Sequence, residues 1–334
     1  MSRSMNQATP LYFRSYLAPL QPFLEQPDVT DVYVNRPGEV WTESLSGTIL
    51  RHEVAALDTV MLDRLARQIA ALSHQGISRE HPLLAATLPD GSRIQMVAAP
   101  ATRGPLALAI RKHVASDMTL ADLSSSGAFA ETRGVSTPRQ EDADTQISAH
   151  YETGDYEKLL SVAVKARKNI IIAGGTSTGK TTVLNALIAE IPRNERLILI
   201  EDTPELLIQH DNALCLVAAR SALGEAEVTT DDLLSAALRM RPDRIIVGEL
   251  RGPEAYTFLR AINTGHPGSM TTVHADSPAR AIEHIALLIL QTGTRLGRED
   301  VLHYVRNTVD VYVQLTRDGG KRRVAEIMLQ AVPR

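Results

Sequence analysis

Residues 169–192, NIIIAGGTSTGKTTVLNALIAEIP, decide the fold class of the chain. In this stretch Gly174, Gly179, Lys180 and Thr181 match the pattern GxxxxGK followed by serine or threonine, between a strand-like run and a helical segment. Glycines in such a loop let backbone amides surround phosphate oxygens, and the helix N-terminus adds the positive end of a dipole. The lysine supplies a point charge, and the threonine hydroxyl suits a magnesium ion. The stretch predicts a nucleotide-binding α/β domain.

Strands and helices continue to alternate after this loop. The strand-like runs RLILIED, RIIVGEL and SMTTVHA are separated by helical segments such as TTDDLLSAALRM and PEAYTFLRAINTG, and PARAIEHIALLILQT follows the last of them. This alternation predicts a mostly parallel sheet covered by helices on both faces. The last two apolar runs flank Asp318, Gly319 and Gly320, a turn sequence that predicts an antiparallel hairpin.

The amino-terminal residues 1–123 predict a smaller α+β domain. A hairpin is predicted for the segment DVTDVYVNRPGEVWTES, because apolar β-formers lie on both sides of a turn at residues 36–39. Residues 57–72 carry apolar side chains at intervals of three and four, the spacing of a helix with one apolar stripe. LPDGSRIQMVAAP and PLALAIRKHV predict two more strands. We expect a mixed sheet with a helix packed on it.

Residues 124–155 are rich in Ser, Thr, Gly, Asp and Glu and lack a sustained period. A connection of about thirty residues is long for the inside of a compact domain, so a flexible linker at a domain boundary is the better interpretation. The nucleotide-binding domain then covers residues 156–334. A flexible linker of this length reaches roughly 30 Å, and we expect it to permit exchange of domains between subunits.

Composition narrows the classes of protein. The chain of 334 residues is 44% hydrophobic and 22% charged, as in globular proteins, and its formal net charge of -4 gives no general field for nucleic acid. We therefore expect no sequence-specific nucleic-acid binding. The single cysteine, Cys215, excludes an internal disulfide and is predicted to be a buried residue of a strand.

The first ten residues resemble no secretory signal, and the longest apolar run, IALLILQ, is too short to span a bilayer. We expect a cytoplasmic protein whose membrane contact is peripheral.

Carboxylates follow two of the predicted strands. Glu201, Asp202 and Glu205 come at or just after the end of RLILI, and Glu249 follows RIIVG. Because the carboxyl ends of parallel strands border the ligand crevice, we expect these groups to face the nucleotide. Metal-assisted hydrolysis needs groups that hold magnesium and one that orients water, and Glu249 or Glu205 fits the second role. A surface role, or a turn at Asp202, is the alternative.

Many nucleotide-binding loops of this kind are accompanied by an aspartate at the end of a later strand. Here Gly248 stands before Glu249, so coordination of magnesium has to depend on Thr181, on water and on the other carboxylates. The predicted metal ligands are Thr181, Glu201, Asp202, Glu205 and Glu249.

Two histidines lie in the segment NTGHPGSMTTVHA. A zinc pair is disfavoured, because His266 and His274 lack the spacing of helical ligands and no third ligand is obvious. A neutral imidazole can donate one hydrogen bond and accept another, so His274 at a strand end can sense the terminal phosphate. His266 fits a structural role equally well.

Four ordered motifs, GGTSTGKTT, EDTPE, RMRPDRIIVGELRGPEA and NTGHPGSMTTVHADSP, resemble those of the type II/type IV secretion ATPase superfamily. LAPLQPFLEQPDVTDVYVNRPGEVWTE is similar to the start of the amino-terminal domain in the hexameric traffic ATPases of bacterial type IV secretion systems. The resemblance runs from about residue 16 to the end, without the linker. It implies an α/β fold with a RecA-like P-loop domain behind the smaller α+β domain.

The resemblance also implies a mechanism and partners. Members of this family are ATP-driven rings, so we expect a homo-hexamer that uses ATP and Mg2+ at the cytoplasmic face of the inner membrane, beside other components of the secretion machinery. The matching positions of the arginines that reach the nucleotide from the amino-terminal domain are Arg93 and Arg111. Positive charge can accelerate phosphoryl transfer by about 10³ to 10⁵. Sequence alone does not orient Arg239, Arg241 and Arg251.

The predicted function is therefore an ATP-hydrolysing motor that energises a type IV secretion system, for pilus biogenesis or for translocation of protein or DNA–protein complexes. Alternatives are an ATPase of type IV pilus or type II secretion assembly, an ATP-gated scaffold with little hydrolysis, and a nucleic-acid translocase. A zinc insertion typical of many type II proteins would need more than one cysteine, and the 4% aromatic content disfavours the translocase.

The predicted site residues follow from these motifs. The nucleotide contacts are Gly174, Gly175, Thr176, Ser177, Thr178, Gly179, Lys180, Thr181 and Thr182, with Arg93 and Arg111. The predicted catalytic residues are Glu249, Glu205, Lys180 and His274.

Overall fold

The computed structural model describes residues 11–112, 119–125, 127, 129–130, 132, 142–219 and 226–330. Its amino-terminal sheet has six strands in the order β3-β2-β1-β6-β5-β4, and every neighbouring pair is antiparallel. The strands are β1 Val29–Val34, β2 Glu39–Ser44, β3 Ile49–Glu53, β4 Leu83–Thr87, β5 Arg93–Ala98 and β6 Leu106–Arg111. The helices of this region are α1 Leu11–Leu17, α2 Gln21–Leu24, α3 Thr59–Leu72 and α4 Leu120–Ser125.

The predicted hairpin and helix of this region are confirmed, but the expectation of a mixed sheet is wrong, because every neighbouring pair of strands is antiparallel. Tyr33 pairs with Trp41 across β1 and β2, and Asp58 caps α3 by accepting a hydrogen bond from the amide of Met61 at 2.7 Å. The buried face of α3 packs with β1, β5 and β6 in one apolar cluster. The sequence analysis missed β3 and β4, because β3 is largely exposed and β4 is short, and neither shows a clear alternation.

The expectation of a single flexible linker over residues 124–155 needs a correction. Helix α5, Asp142–Thr153, occupies its last part and packs against α6, Tyr156–Lys165. Ile147 is buried in the apolar cluster of the second domain, and Asp144 pairs with Lys168 at 2.7 Å. Ile147 is the one side chain of this helix that is buried, which is why its sequence shows little amphipathic period. Residues 133–141 lie outside the described residues.

The second sheet has seven strands in the order β13-β12-β7-β11-β10-β8-β9. All neighbouring pairs are parallel except the predicted carboxy-terminal hairpin, β12 with β13, which is antiparallel. The strands are β7 Ile170–Gly174, β8 Leu197–Glu201, β9 Ala213–Val217, β10 Arg244–Leu250, β11 Met270–Val273, β12 Val311–Asp318 and β13 Lys321–Leu329. The remaining helices are α7 Lys180–Ala189, α8 Thr230–Ala237, α9 Glu254–Asn263, α10 Pro278–Leu290 and α11 Arg298–Thr308.

Burial explains why the central strands read as continuous apolar runs. Every residue of β7, β8 and β11 is buried, because helices cover both faces of the sheet. The fold is thus the predicted α/β arrangement behind a smaller α+β domain. Within the described ranges, no helix has the length and hydropathy needed to cross a membrane.

The two sheets join through backbone hydrogen bonds at strand β9, the outermost strand of the second sheet. In the turn between β5 and β6, the carbonyl of Ala101 accepts from the amide of Val217 at 3.0 Å, and the amide of Arg103 donates to the carbonyl of Cys215 at 3.1 Å. The hydroxyl of Thr102 donates to the same carbonyl at 3.1 Å. The turn thus pairs with the edge of the parallel sheet. An apolar cluster with side chains from both sheets continues the contact.

Candidate functional site

A cavity of about 520 Å³ opens at the carboxyl ends of β7, β8, β10 and β11, where ligands bind in open parallel sheets. Loops that leave these four strands form most of its wall. The lining residues are Gly175, Thr176, Ser177, Thr178, Gly179, Lys180, Thr181, Thr182, Glu201, Asp202, Thr203, Glu205, Leu206, Gly248, Glu249, Arg251, Thr272, His274 and Arg322.

The predicted phosphate-binding loop forms one wall of this cavity. Gly179 has φ 96°, a left-handed conformation that glycine tolerates, and α7 begins at the next residue. The ammonium of Lys180 donates to the carbonyls of Gly174 and Gly175 at 2.9 and 3.2 Å, and the hydroxyl of Thr178 donates to Gly175 at 2.8 Å. These bonds hold the lysine across the loop. Of the predicted loop contacts, Gly174 lies behind the described lining as the last residue of β7.

A β-carbon at Gly174 would not fit the loop. It would lie 2.5 Å from the Thr178 hydroxyl and 3.1 Å from the β-carbon of Leu315 on β12. A β-carbon at Gly175 would meet nothing closer than 3.9 Å. The loop can curl this tightly only because residue 174 has no side chain. A loop curled in this way can bind phosphate oxygens through its backbone amides.

Two predicted carboxylates face the loop. Glu249 places one oxygen 3.6 Å from the Lys180 ammonium and accepts from the guanidinium of Arg251. Glu205 accepts a hydrogen bond from the Thr181 hydroxyl at 3.2 Å. The structure thus brings together a lysine, a threonine and two glutamates near the start of α7, an arrangement suited to holding a metal-bound phosphate and a water molecule.

Asp202 lies on the same side of the cavity, 3.7 Å from Arg251. Arg251 therefore lies between two carboxylates, Asp202 and Glu249. The ion pair with Glu249 raises the pKa of Arg251 and keeps its charge fixed at the cavity wall.

Glu201 serves a different purpose from the metal ligation predicted for it. It is 4% exposed; one carboxylate oxygen accepts from the amides of Glu205 and Leu206 at 2.8 and 2.7 Å, and the other accepts from Arg103. Its two oxygens are thus occupied by donors of the chain itself. The buried position at the end of β8, which the sequence pattern does not reveal, explains the difference.

Arg93 and Arg111 are not among the residues that line the described cavity. They pair with each other in the register of β5 and β6, and Arg111 donates to Asp31 at 2.9 Å. Among the other arginines in the motifs, Arg241 contacts Glu43 of the amino-terminal domain at 2.9 Å.

Two arginines near the cavity were missed. Arg103 reaches the cavity wall from the β5–β6 turn, and Arg322 lines the cavity from the β12–β13 hairpin. The Arg322 δ-carbon lies 3.4 Å from the position that a β-carbon on Gly179 would take. The one sequence signal for Arg322 is the basic run KRR after the hairpin turn. This run can be linked to the cavity only once β12 is known to pair with β7, the strand that leads into the phosphate-binding loop.

The two histidines considered in the sequence analysis lie in different environments. His274 lines the cavity just after β11. His266 lies elsewhere and donates from Nδ1 to the carbonyl of Pro242 at 2.9 Å. Burial lowers the pKa of His266, the cation of Arg241 lowers it further, and the hydrogen bond to Pro242 opposes both effects. This environment favours the neutral form of His266, and the hydrogen bond to Pro242 orients its ring.

The side-chain donors of the cavity fit a magnesium ion only in part. Among the residues described, no group of three or more His, Cys, Asp or Glu side chains converges on one point that could hold a metal. Oxygen donors do face the cavity from Thr181, Glu205, Glu249 and Asp202. This set fits an ion that binds through one or two protein oxygens together with substrate phosphates and water, as magnesium does.

Residues 14–319 match the family model described as Type II/IV secretion system protein. The chain is 40% identical over 326 residues to the type IV secretion system protein VirB11 of Bartonella quintana, which covers 93% of this chain and 91% of that protein. It is 37% identical over 334 residues to PtlH of Bordetella pertussis, with 97% of each covered. The crystal structure of the VirB11 ATPase from the Brucella suis type IV secretion system, in complex with sulphate, matches with a TM-score of 0.89 and 38% identity over 95% of this chain and 94% of that chain.

Proposed function

The chain belongs to the Type II/IV secretion system protein family as a VirB11-type secretion ATPase, and from this premise we propose that its cavity binds magnesium and ATP to energise a type IV secretion system. One observation carries the proposal: Lys180, Thr181, Glu205 and Glu249 meet in one cavity at the carboxyl ends of the parallel strands.

The loop residues bind the phosphates. Backbone amides of residues 175–182 surround the β- and γ-phosphates, and the Lys180 ammonium exchanges its carbonyl partners for phosphate oxygens. Thr181, whose hydroxyl donates to Glu205 here, would hold the magnesium ion through its hydroxyl oxygen. Magnesium, when bound, neutralises charge on the phosphate oxygens.

Glu249 and Glu205 are the candidates that orient the attacking water. Glu249 lies beside Lys180, and its hydrogen bond from Arg251 leaves further acceptor sites on its carboxylate. Asp202 is paired with Arg251 at a greater distance and is the weaker candidate. His274, at the end of β11, contacts the terminal phosphate and reports its presence.

The proposed active form of the protein is an oligomer at the membrane. We propose a homo-hexamer attached peripherally to the cytoplasmic face of the inner membrane, where it works beside other components of the secretion system. The relatives' printed description as type IV secretion system proteins supports membership of that system. Arg93 and Arg111, which lie outside the cavity of their own chain, reach a nucleotide in a neighbouring subunit or after movement of the amino-terminal domain. Because α5 packs on the second domain, exchange of the amino-terminal domain between subunits would depend on the connection that precedes Asp142.

The proposed function is tested by measuring the rate of ATP hydrolysis per subunit at a series of protein concentrations. The variant Lys180→Ala serves as the inactive control. A rate that rises cooperatively, vanishes in the variant and needs added magnesium after chelation supports the proposal. A low rate independent of concentration and equal to that of the inactive control would favour an ATP-gated scaffold.

Mixing two inactive variants tests the role between subunits. Arg111→Ala keeps the loop intact, and Lys180→Ala keeps Arg111 intact. Activity in the mixture above that of either variant alone means that Arg111 acts on a neighbouring subunit; no recovery would place its action within one chain.

A further inference from the structure

Arg103 is the residue of the amino-terminal domain whose side chain reaches the loop after β8. Its backbone amide is fixed by Cys215 of β9, and the adjacent Thr102 forms an antiparallel bridge with Leu216. The start of the side chain is therefore held against the edge of the second sheet, and its guanidinium points toward the end of β8.

The guanidinium makes two kinds of contact there. It donates to the carboxylate of Glu201 and to the carbonyl of Leu206, at 3.2 Å from Nη1 and 3.3 Å from Nη2. Within the part of the chain that the structure describes, Arg103 is the cation at ion-pair distance from Glu201. A carboxylate as buried as this one is costly to ionise without such a partner.

Glu201 transmits this restraint to the catalytic side of the cavity. Its other oxygen accepts from the amides of Glu205 and Leu206, so the carboxylate closes the loop of residues 202–206 on itself. Glu205 in turn accepts from the hydroxyl of Thr181 at the start of α7. A continuous series of hydrogen bonds therefore runs from the amino-terminal domain to the phosphate-binding helix.

We propose that Arg103 is a positioning residue that ties the amino-terminal domain to the Glu205 loop and so fixes where the Glu205 carboxylate lies relative to Thr181. The inference rests on the proposed ATPase function. The Arg103 guanidinium holds the Glu201 carboxylate, and through it the loop, in place. Without this guanidinium, Glu201 loses its ion pair and the loop relaxes, which places Glu205 out of register for hydrolysis.

The kinetic experiment compares Arg103→Ala, Arg103→Lys and the control Arg51→Ala in the full-length protein. Arg51 also pairs with a buried carboxylate of the amino-terminal domain, Glu39, at 3.0 Å, but away from the cavity. We expect Arg103→Ala to lower kcat by about tenfold or more, because a shift of about 1 Å in a positioned group can cost on the order of 100-fold. We expect the dissociation constant for ADP to change by less than about threefold, because the residues that bind phosphate remain.

Arg103→Lys restores part of kcat, since an ammonium can still pair with Glu201, and Arg51→Ala keeps the kcat of the parent protein. An unchanged kcat in Arg103→Ala, or equal losses in Arg103→Ala and Arg103→Lys together with weakened ADP binding, would overturn the proposal. A parent protein that turns over no ATP would instead contradict the proposed function.

Hydrogen exchange without nucleotide provides a readout independent of activity. In Arg103→Ala the amides of Glu205 and Leu206 should exchange faster by about tenfold or more, while amides in α3 keep their protection. Unchanged protection at both amides would refute the positioning role. If Arg103→Ala does not fold, Arg103→Gln, which can still donate to Leu206 but lacks the charge, takes its place in both measurements.

Discussion

Arg196 stacks on the ring of Tyr33 across the junction of the two domains, with its guanidinium carbon 4.1 Å from the ring centroid. Arg196 is 1% exposed, and it donates to the side-chain oxygens of Asn35 and Asn212 at 2.8 and 2.6 Å and to the carbonyl of Met240 at 3.1 Å. Burial lowers its pKa to about 10, so the group stays charged at pH 7. A buried cation thus joins residues from both sheets.

Replacement of Arg196 by alanine should strongly destabilise the docked domains. We expect the free energy of unfolding to fall by about 3 kcal/mol or more, because each buried acceptor left without a donor costs about 1–3 kcal/mol. Trp41, the only tryptophan of the chain, lies in the same apolar cluster as Tyr33, so its fluorescence during urea unfolding monitors the junction.

The matched control is Arg64→Ala, which removes an exposed arginine of α3 and should change stability by less than about 0.5 kcal/mol. Equal stability of the two variants would mean that Arg196 does not hold the junction together.

Gly174→Ala should be far more harmful to stability than Gly175→Ala. The new methyl at residue 174 would lie 2.5 Å from the Thr178 hydroxyl and close to Leu315, so the loop or β12 has to shift. Overpacking of this kind costs about 1–3 kcal/mol, whereas the open position at residue 175 should cost less than about 1 kcal/mol. Thermal denaturation of both variants without nucleotide measures the difference. A smaller loss of stability in Gly174→Ala than in Gly175→Ala would show that the loop is looser than the structure indicates.

Arg322→Ala should weaken ATP binding without removing catalysis. Arg322 lines the cavity with its δ-carbon near Gly179 and, among the described residues, forms no ion pair, so its guanidinium is available to a phosphate. Loss of a charge-assisted hydrogen bond, about 1.5–3 kcal/mol, predicts an increase in KM for ATP of about tenfold. Steady-state kinetics gives KM and kcat separately.

Arg323→Ala is the control, because the adjacent Arg323 lies 3.9 Å from Asp318 and outside the lining of the cavity. A similar increase in KM in both variants would indicate a general effect of positive charge on the hairpin and no specific contact by Arg322.

His266 should make the protein less stable in mild acid. Its pKa is lowered in the folded state, so the unfolded chain takes up a proton first as the pH falls below the ordinary value of about 6.5. The stability contribution is complete above that pH and is lost as the pH falls toward the folded pKa, by at most about 1.4 kcal/mol per pH unit. Urea unfolding at several pH values between 7.5 and 5 measures the slope.

His266→Gln keeps a donor for the Pro242 carbonyl and should flatten this slope, whereas His81→Gln, at an exposed position, should leave it unchanged. A slope as steep in His266→Gln as in the parent protein would assign the acid sensitivity to other groups.

The parts of the site that could be predicted from sequence are those encoded locally. The loop from Gly174 to Thr181 has a fixed spacing, and Glu205 and Glu249 follow strands whose ends must share one edge of the sheet. The carboxy-terminal hairpin was also readable, because its turn contains two consecutive glycines.

The parts that escaped prediction depend on packing between distant segments. Arg103 and Glu201 are 98 residues apart, and their contact exists only because the β5–β6 turn pairs with β9. Glu201 resembled a metal ligand because its burial and its two amide donors leave no trace in a sequence pattern. Arg111 similarly lies beside Asp31 through strand register, which spacing along the chain does not reveal.

The pairing of residues 101–103 with β9 also restricts how the protein can move. If those backbone hydrogen bonds persist during a cycle, the amino-terminal sheet can turn only about a line that passes close to β9. The pairing then marks the rotation axis, and the displacement of each part of the amino-terminal domain increases with its distance from that axis. Under that condition, small displacements beside the cavity would produce larger displacements at the side of the amino-terminal domain that lies far from β9.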